Sequence, residues 1–217
     1  MRRRCPRPWR LLPGPLSTPF TFAYTLLLTA TSIFAEHADP ELVHALLRGS
    51  STDVEHLAHA PLRVLVASAL WIAGGLTSAY AVAFLFVLTA LERRAGALRT
   101  AAVFFGGHTL ATLATELPVG AAVALGHLPA ASLQRLDYGI SFGVMACTGA
   151  LAGLLPAWAR WPLLMGVTWF AVNNLLVSED PVSDSGHLLA LILGTLAGPL
   201  LRRPRGPRPA AIVSGRC

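Results

Sequence analysis

The chain has 217 residues, of which 54% are hydrophobic and only 13% charged, and its mean hydropathy is +0.58. That leaves too little polar surface for an ordinary soluble domain, so composition alone points to a membrane protein. The net charge of +6 comes from seventeen basic residues, every one an Arg, and because their positions follow membrane topology they give no reason to expect a nucleic-acid surface.

Residues 1–18 read as a basic, proline-containing leader. Pro19 to Ala35 is an uncharged apolar run of the length that spans ~30 Å of hydrocarbon. Its end, Ile33, Phe34 and Ala35, fits a small-x-small cleavage rule poorly, so an uncleaved first span is expected. From Glu36 to Pro61 acids and histidines are frequent, and Leu42, Val43, Leu46 and Leu47 recur at helical spacing beside Glu41, His44 and Arg48. This pattern predicts an amphipathic helix on the membrane surface.

Further apolar runs predict span two over Val64 to Leu91, closed by the charged turn LERRAGALR, and span three over Ala101 to Gly120. Spans four, five and six are expected over Tyr138 to Leu155, Trp161 to Val177 and Gly186 to Leu201. The Arg- and Pro-rich tail, residues 202–217, is expected to be disordered. The expected fold is therefore all-α and polytopic: six transmembrane helices forming one membrane domain over residues 19–201.

Arginine positions give the orientation, since positive loops stay cytoplasmic. With both termini inside, fourteen of the seventeen arginines are cytoplasmic, leaving Arg48, Arg63 and Arg135 outside. Most acids, from Glu36 to Asp184, fall in the opposite loops. The expected location is the plasma membrane of a bacterium, with both termini cytoplasmic. Cys5, Cys147 and Cys217 have neither metal-ligand nor redox spacing.

The segment Asp137 to Gly153, DYGISFGVMACTGALAG, is small at almost every position. As a helix it can be approached closely on several sides, which suits the centre of a bundle. Ser141 lies just inside its start. On span six, His187, Ala190, Gly194 and Gly198 share a helical face, so the imidazole stands above a groove of small residues. Spans four and six run the same way through the membrane in this topology, with Ser141 and His187 at similar depth. If the two small faces touch, a hydroxyl and an imidazole meet, the arrangement of a serine nucleophile with histidine as general base. The bland readings are a serine bonded to its own helix and a histidine reaching for water.

The residues GISFG, LERRAGALR and GHLLALILGTLAG, in this order and spacing after an amphipathic first loop, resemble the rhomboid intramembrane serine proteases over Phe20 to Leu201. The resemblance implies a catalytic dyad of Ser141 and His187, with Gly139, Gly143 and Gly194 in support. It implies membrane-protein substrates cleaved near the outer face, and no cofactor or metal. Three departures accompany it. The family's HxxxN of span two has no counterpart, its positions falling near Leu76 and Tyr80; Phe142 follows the serine; and Ala190 stands where glycine is frequent.

Span three carries His108, Thr112, Thr115 and Glu116 on one face, and ionisable groups inside a membrane face the bundle interior. A structural role is expected, with His108 or Glu116 bonding span four near Thr148; a small transporter using His108 and Glu116 is the other possibility. Asn173 and Asn174 are expected to bond neighbouring helices. His44, His56 and His59 match no specific metal spacing. Three functions stay open: a serine protease, a catalytically inactive relative that binds membrane clients, and the transporter. The lipid bilayer and membrane-protein substrates or clients are the expected partners, without nucleic acid.

Overall fold

Residues 12–178 and 180–202 are described in the computed structural model of the protein, and they are helical with no strand among them. Most of the leader, nearly all of the tail, Cys5, Cys217 and Glu179 lie outside the described residues.

Helix α1 (Pro19–His37) starts at a proline, and its first free N–H groups are taken by a distant carboxylate. Glu92, in the last turns of the helix over Ala79–Ala95, accepts from the backbone N–H groups of Phe20 (3.0 Å) and Thr21 (2.8 Å) and from the Thr21 hydroxyl (2.6 Å). A buried charge at a helix N-terminus is stabilised by those otherwise unsatisfied donors and by the helix dipole. Helix α2 (Pro40–Gly49) is capped by Asp39 and buries no residue, consistent with the amphipathic helix expected there. Short helices α3 (Val54–His59) and α4 (Pro61–Ser68) follow.

Span two, expected as one helix over Val64 to Leu91, is broken. After α4 the chain loops through residues 69–78 before α5 (Ala79–Ala95) begins. Gly74 and Gly75 both have positive φ, +78° and +73°, which no other residue adopts cheaply, and the Ser78 hydroxyl caps α5 by accepting from the Ala81 N–H. Two of the loop's carbonyls are satisfied by α1: the Tyr24 hydroxyl donates to Ala69 (2.6 Å) and the Thr31 hydroxyl to Leu70 (2.7 Å).

Helix α6 (Ala97–Ala124) runs past both expected ends and contains Pro118. Helices α7 (Ser141–Leu154), α8 (Ala157–Val177) and α9 (Pro181–Ala197) complete the order, with a 3-10 turn over Gly198–Leu201. The centre is α7, where eleven of fourteen residues are buried; in α8 only Ala171 of twenty-one is. Asn173 on α8 is accordingly exposed and Asn174 half-buried, so they do not form the buried interhelical bonds expected of them.

Small residues explain the central position of α7. A Cβ on Gly194 would lie 1.8 Å from the Ala146 carbonyl oxygen, and one on Gly149 would lie 2.3 Å from that of Leu191. Farther along, Gly198 meets Gly153 and Ala150. The two helices therefore run parallel, backbone against backbone, as small faces allow. By length and hydropathy, Pro181–Leu201 is the one helical segment among the described residues fit to cross a membrane, and Ser141–Leu154 is apolar but shorter.

Candidate functional site

The turn before α7 is fixed from two sides. Gly139 has φ +123°, a conformation that requires glycine. Its N–H donates to the Ser68 carbonyl at the end of α4 (3.0 Å). The Ser68 hydroxyl in turn is hydrogen-bonded to His108 Nε2 (3.0 Å). His108 thus supports the start of α7 through Ser68, and Thr148, the partner expected for span three, instead donates to the Val144 carbonyl of its own helix. Both Ser68 and His108 are buried, and the bond between them ties α4 to α6.

On the other side, Asp137 is enclosed. Its carboxylate accepts from the Thr52 and Ser183 hydroxyls (both 3.2 Å), its carbonyl accepts from the Thr52 N–H, and its own N–H donates to Ser51. The corner between α2 and α3 is thereby tied to the segment that enters α7 and to the first turn of α9. Arg135 extends this cluster, donating to Glu116 on α6 and to Asp180 at the start of α9, with Asp137 3.9 Å away. Burial pushes the Asp137 carboxyl above its usual range, against the opposing pull of Arg135, Thr52 and Ser183. Burial works against the Arg135 charge, but the Asp137, Glu116 and Asp180 carboxylates outweigh it and hold the guanidinium above its ordinary value.

Ser141 opens α7 and is half-buried. His187 lies in the second turn of α9, buried, with Nδ1 3.1 Å from Asp184 Oδ1. Tyr80 stacks on the imidazole (5.0 Å, 29°), and Phe142 meets it edge-on (5.3 Å, 74°). Nε2 is buried with no hydrogen-bond partner among the described residues, and so is the Tyr80 hydroxyl. Phe142 also covers Gly186, where a Cβ would fall 2.4 Å from its ring. Ser141 and His187 therefore belong to the same end of the α7–α9 pair, without a hydrogen bond between them.

Two of the three supporting glycines are closely packed: Gly143 faces the Phe104 ring, where a Cβ would sit 2.5 Å away, and Gly194 faces Ala146, whereas Gly139 is set by its positive φ and has ordinary contacts. His108 and Glu116 share a helix but enter separate networks, through Ser68 and through Arg135. In the first loop, His56 pairs with Asp53 and His59 with the Glu55 carbonyl. Sequence reasoning set Asp184 aside, since the family's dyad needs no third carboxylate, and gave Tyr80 and Arg135 no part in the site. Asp184 had a usable signal, since it lies three residues before His187 and so on the same helical face; Tyr80 and Arg135 act across the fold and had none.

A family model described as rhomboid-like protein matches residues 16–207. No curated protein matches the chain. No solved structure matches it.

Proposed function

The chain belongs to the rhomboid-like protein family and is an integral membrane protein, and on that premise we propose that it is an intramembrane serine protease using Ser141 and His187. In this reading residues 19–201 form a six-span domain between a cytoplasmic leader and tail, in the plasma membrane, and chemistry occurs toward the outer face.

The observation that carries the reading is the α7–α9 contact. Gly194 lies against Ala146, and Phe142, the residue after Ser141, lies against Gly186 and His187. The serine and the imidazole thus occupy one end of a parallel pair, with Nε2 unpartnered. As Ser141 Oγ bonds to the scissile carbonyl carbon, its proton passes to Nε2. Collapse of the tetrahedral adduct breaks the C–N bond, and Nε2 returns the proton to the leaving amine. Water then repeats the sequence on the acyl-enzyme. The nucleophile and base close to ~2.6–3.2 Å when substrate binds, since such contacts are often looser without it.

The test is cleavage in reconstituted vesicles of a panel of single-span membrane reporters. The protease reading predicts fragments with the wild type and none with Ser141→Ala or His187→Ala. A second reading is favoured by the missing Ser141–His187 hydrogen bond and the aromatic rings around the imidazole: a relative that binds membrane clients without cutting them. It predicts that reporters crosslink to the protein intact, equally in wild type and Ser141→Ala.

A further inference from the structure

We infer that Asp184 is a positioning residue that holds His187 as the tautomer with hydrogen on Nδ1, so that Nε2 faces the nucleophile as an acceptor. This rests on the reading of His187 as general base and extends the pair Ser141–His187 to a third side chain on the base's own helix. The geometry is local. Asp184 and His187 are three residues apart on α9, one helical turn, and Asp184 Oδ1 lies 3.1 Å from Nδ1. An ionised carboxylate can only accept, so the hydrogen of this bond is on Nδ1 and the lone pair of the neutral ring is on Nε2.

The packing around the imidazole agrees with that assignment. Tyr80 covers a face of the ring and Phe142 packs against it at a steep angle, so the imidazole cannot flip without displacing both. Nε2, the nitrogen left over, is the one without a partner among the described residues. A side chain packed on its faces and hydrogen-bonded at one nitrogen has its other nitrogen aimed, which is the task of an orienting carboxylate. During acylation the Ser141 proton goes to Nε2 while the Nδ1 hydrogen stays on the ring. Asp184 keeps its bond to Nδ1 and faces the imidazolium as it forms, and the Nε2 proton leaves with the amine.

Other ionisable groups surround His187 and bear on its titration. They are Tyr80 on α5, Asp137 ahead of α7 and Asp180 at the start of α9; Arg135 is paired with Asp180 and with Glu116 on α6. None of these is hydrogen-bonded to the ring; Asp184 is. The Asp184→Asn change keeps the shape and removes the charge, so it should favour the neutral ring.

The experiment is nitrogen NMR of histidine-labelled full-length protein in nanodiscs, with the His187 signal assigned by its loss in His187→Gln. The expected wild-type result is a neutral ring protonated on Nδ1. Asp184→Asn should lower the His187 titration midpoint and bring in the other tautomer, while Asp184→Glu should restore part of the wild-type state. Wild-type His187 protonated on Nε2 overturns the assignment without any variant, and so does a folded Asp184→Asn protein whose midpoint and tautomer are unchanged. In parallel, the rate at which a fluorophosphonate labels Ser141 is followed against pH. Asp184→Asn should lose at least about tenfold in maximal rate, toward the ~10⁴ of the Ser–His–Asp template, with its acid limb moved to lower pH. Wild-type Ser141 that stays unlabelled at every pH sinks the nucleophile reading, and the tautomer result still decides the role of Asp184.

Discussion

Replacing Gly194 with Ala tests whether backbone contact between α7 and α9 builds the site. The new methyl would lie 1.8 Å from the Ala146 carbonyl oxygen, 2.6 Å from its carbonyl carbon and 2.8 Å from its Cα. All three are backbone atoms, so no rotamer change relieves the overlap. Restoring ordinary carbon–oxygen contact of ~3.3–3.6 Å requires the helices to part by about 1.5 Å. Overpacking of this kind costs roughly 1–3 kcal/mol, and occasionally more. Ala in place of Gly within a helix returns only about 0.5–1 kcal/mol. At about 2–4 °C per kcal/mol for a chain of this size, the thermal midpoint in detergent or nanodiscs should fall by several degrees. The control is Gly166→Ala on α8, where a Cβ meets nothing within 4 Å; it should be neutral or slightly stabilising. Equal midpoints for wild type and Gly194→Ala would refute the close-packed interface, whatever the activity.

Other parts of the fold give sharper single changes. Glu92→Ala leaves three donors at the start of α1 without their acceptor and should cost about 1–3 kcal/mol, read as a lowered midpoint; an unchanged midpoint contradicts the capping role. Arg135→Ala strands Glu116, which is 1% exposed, and should cost about 3–5 kcal/mol, with Glu116→Gln recovering part of the loss when the two are combined. Asp137 supplies a pH dependence. Because burial raises its folded-state carboxyl above the unfolded value, its favourable contribution is complete below the unfolded pKa and is lost as pH rises through the folded one. The midpoint of the wild type relative to Asp137→Asn should therefore be higher at acid pH than at neutral pH, and a constant difference refutes the shift.

Composition and small-residue spacing carried much of the architecture, because they depend on local chemistry. The Gly and Ala positions of Asp137 to Gly153 and the face of His187, Ala190, Gly194 and Gly198 do meet. The family resemblance rested on the same segments. The break in span two was legible in part: GlyGly followed by Ser78 is a turn and a cap, but an apolar stretch on both sides masked it. The partners of His108 and Glu116 were not legible. Ser68 is forty residues from His108 in sequence, and Arg135 reaches Glu116 from a loop nineteen residues on. Such pairs depend on how loops return to the bundle, which no periodicity encodes. Tyr80 is similar: it falls near a position where the family's span-two motif is missing, and its ring is against His187.

In the proposed protease, the His187 imidazole makes the Ser141 hydroxyl nucleophilic. Mass spectrometry of the reconstituted protein after a fluorophosphonate pulse measures this directly. A single adduct is expected on the peptide carrying Ser141, absent from Ser141→Ala and strongly reduced in His187→Ala. No adduct in the wild type, or equal modification of Ser141 when His187 is removed, contradicts it.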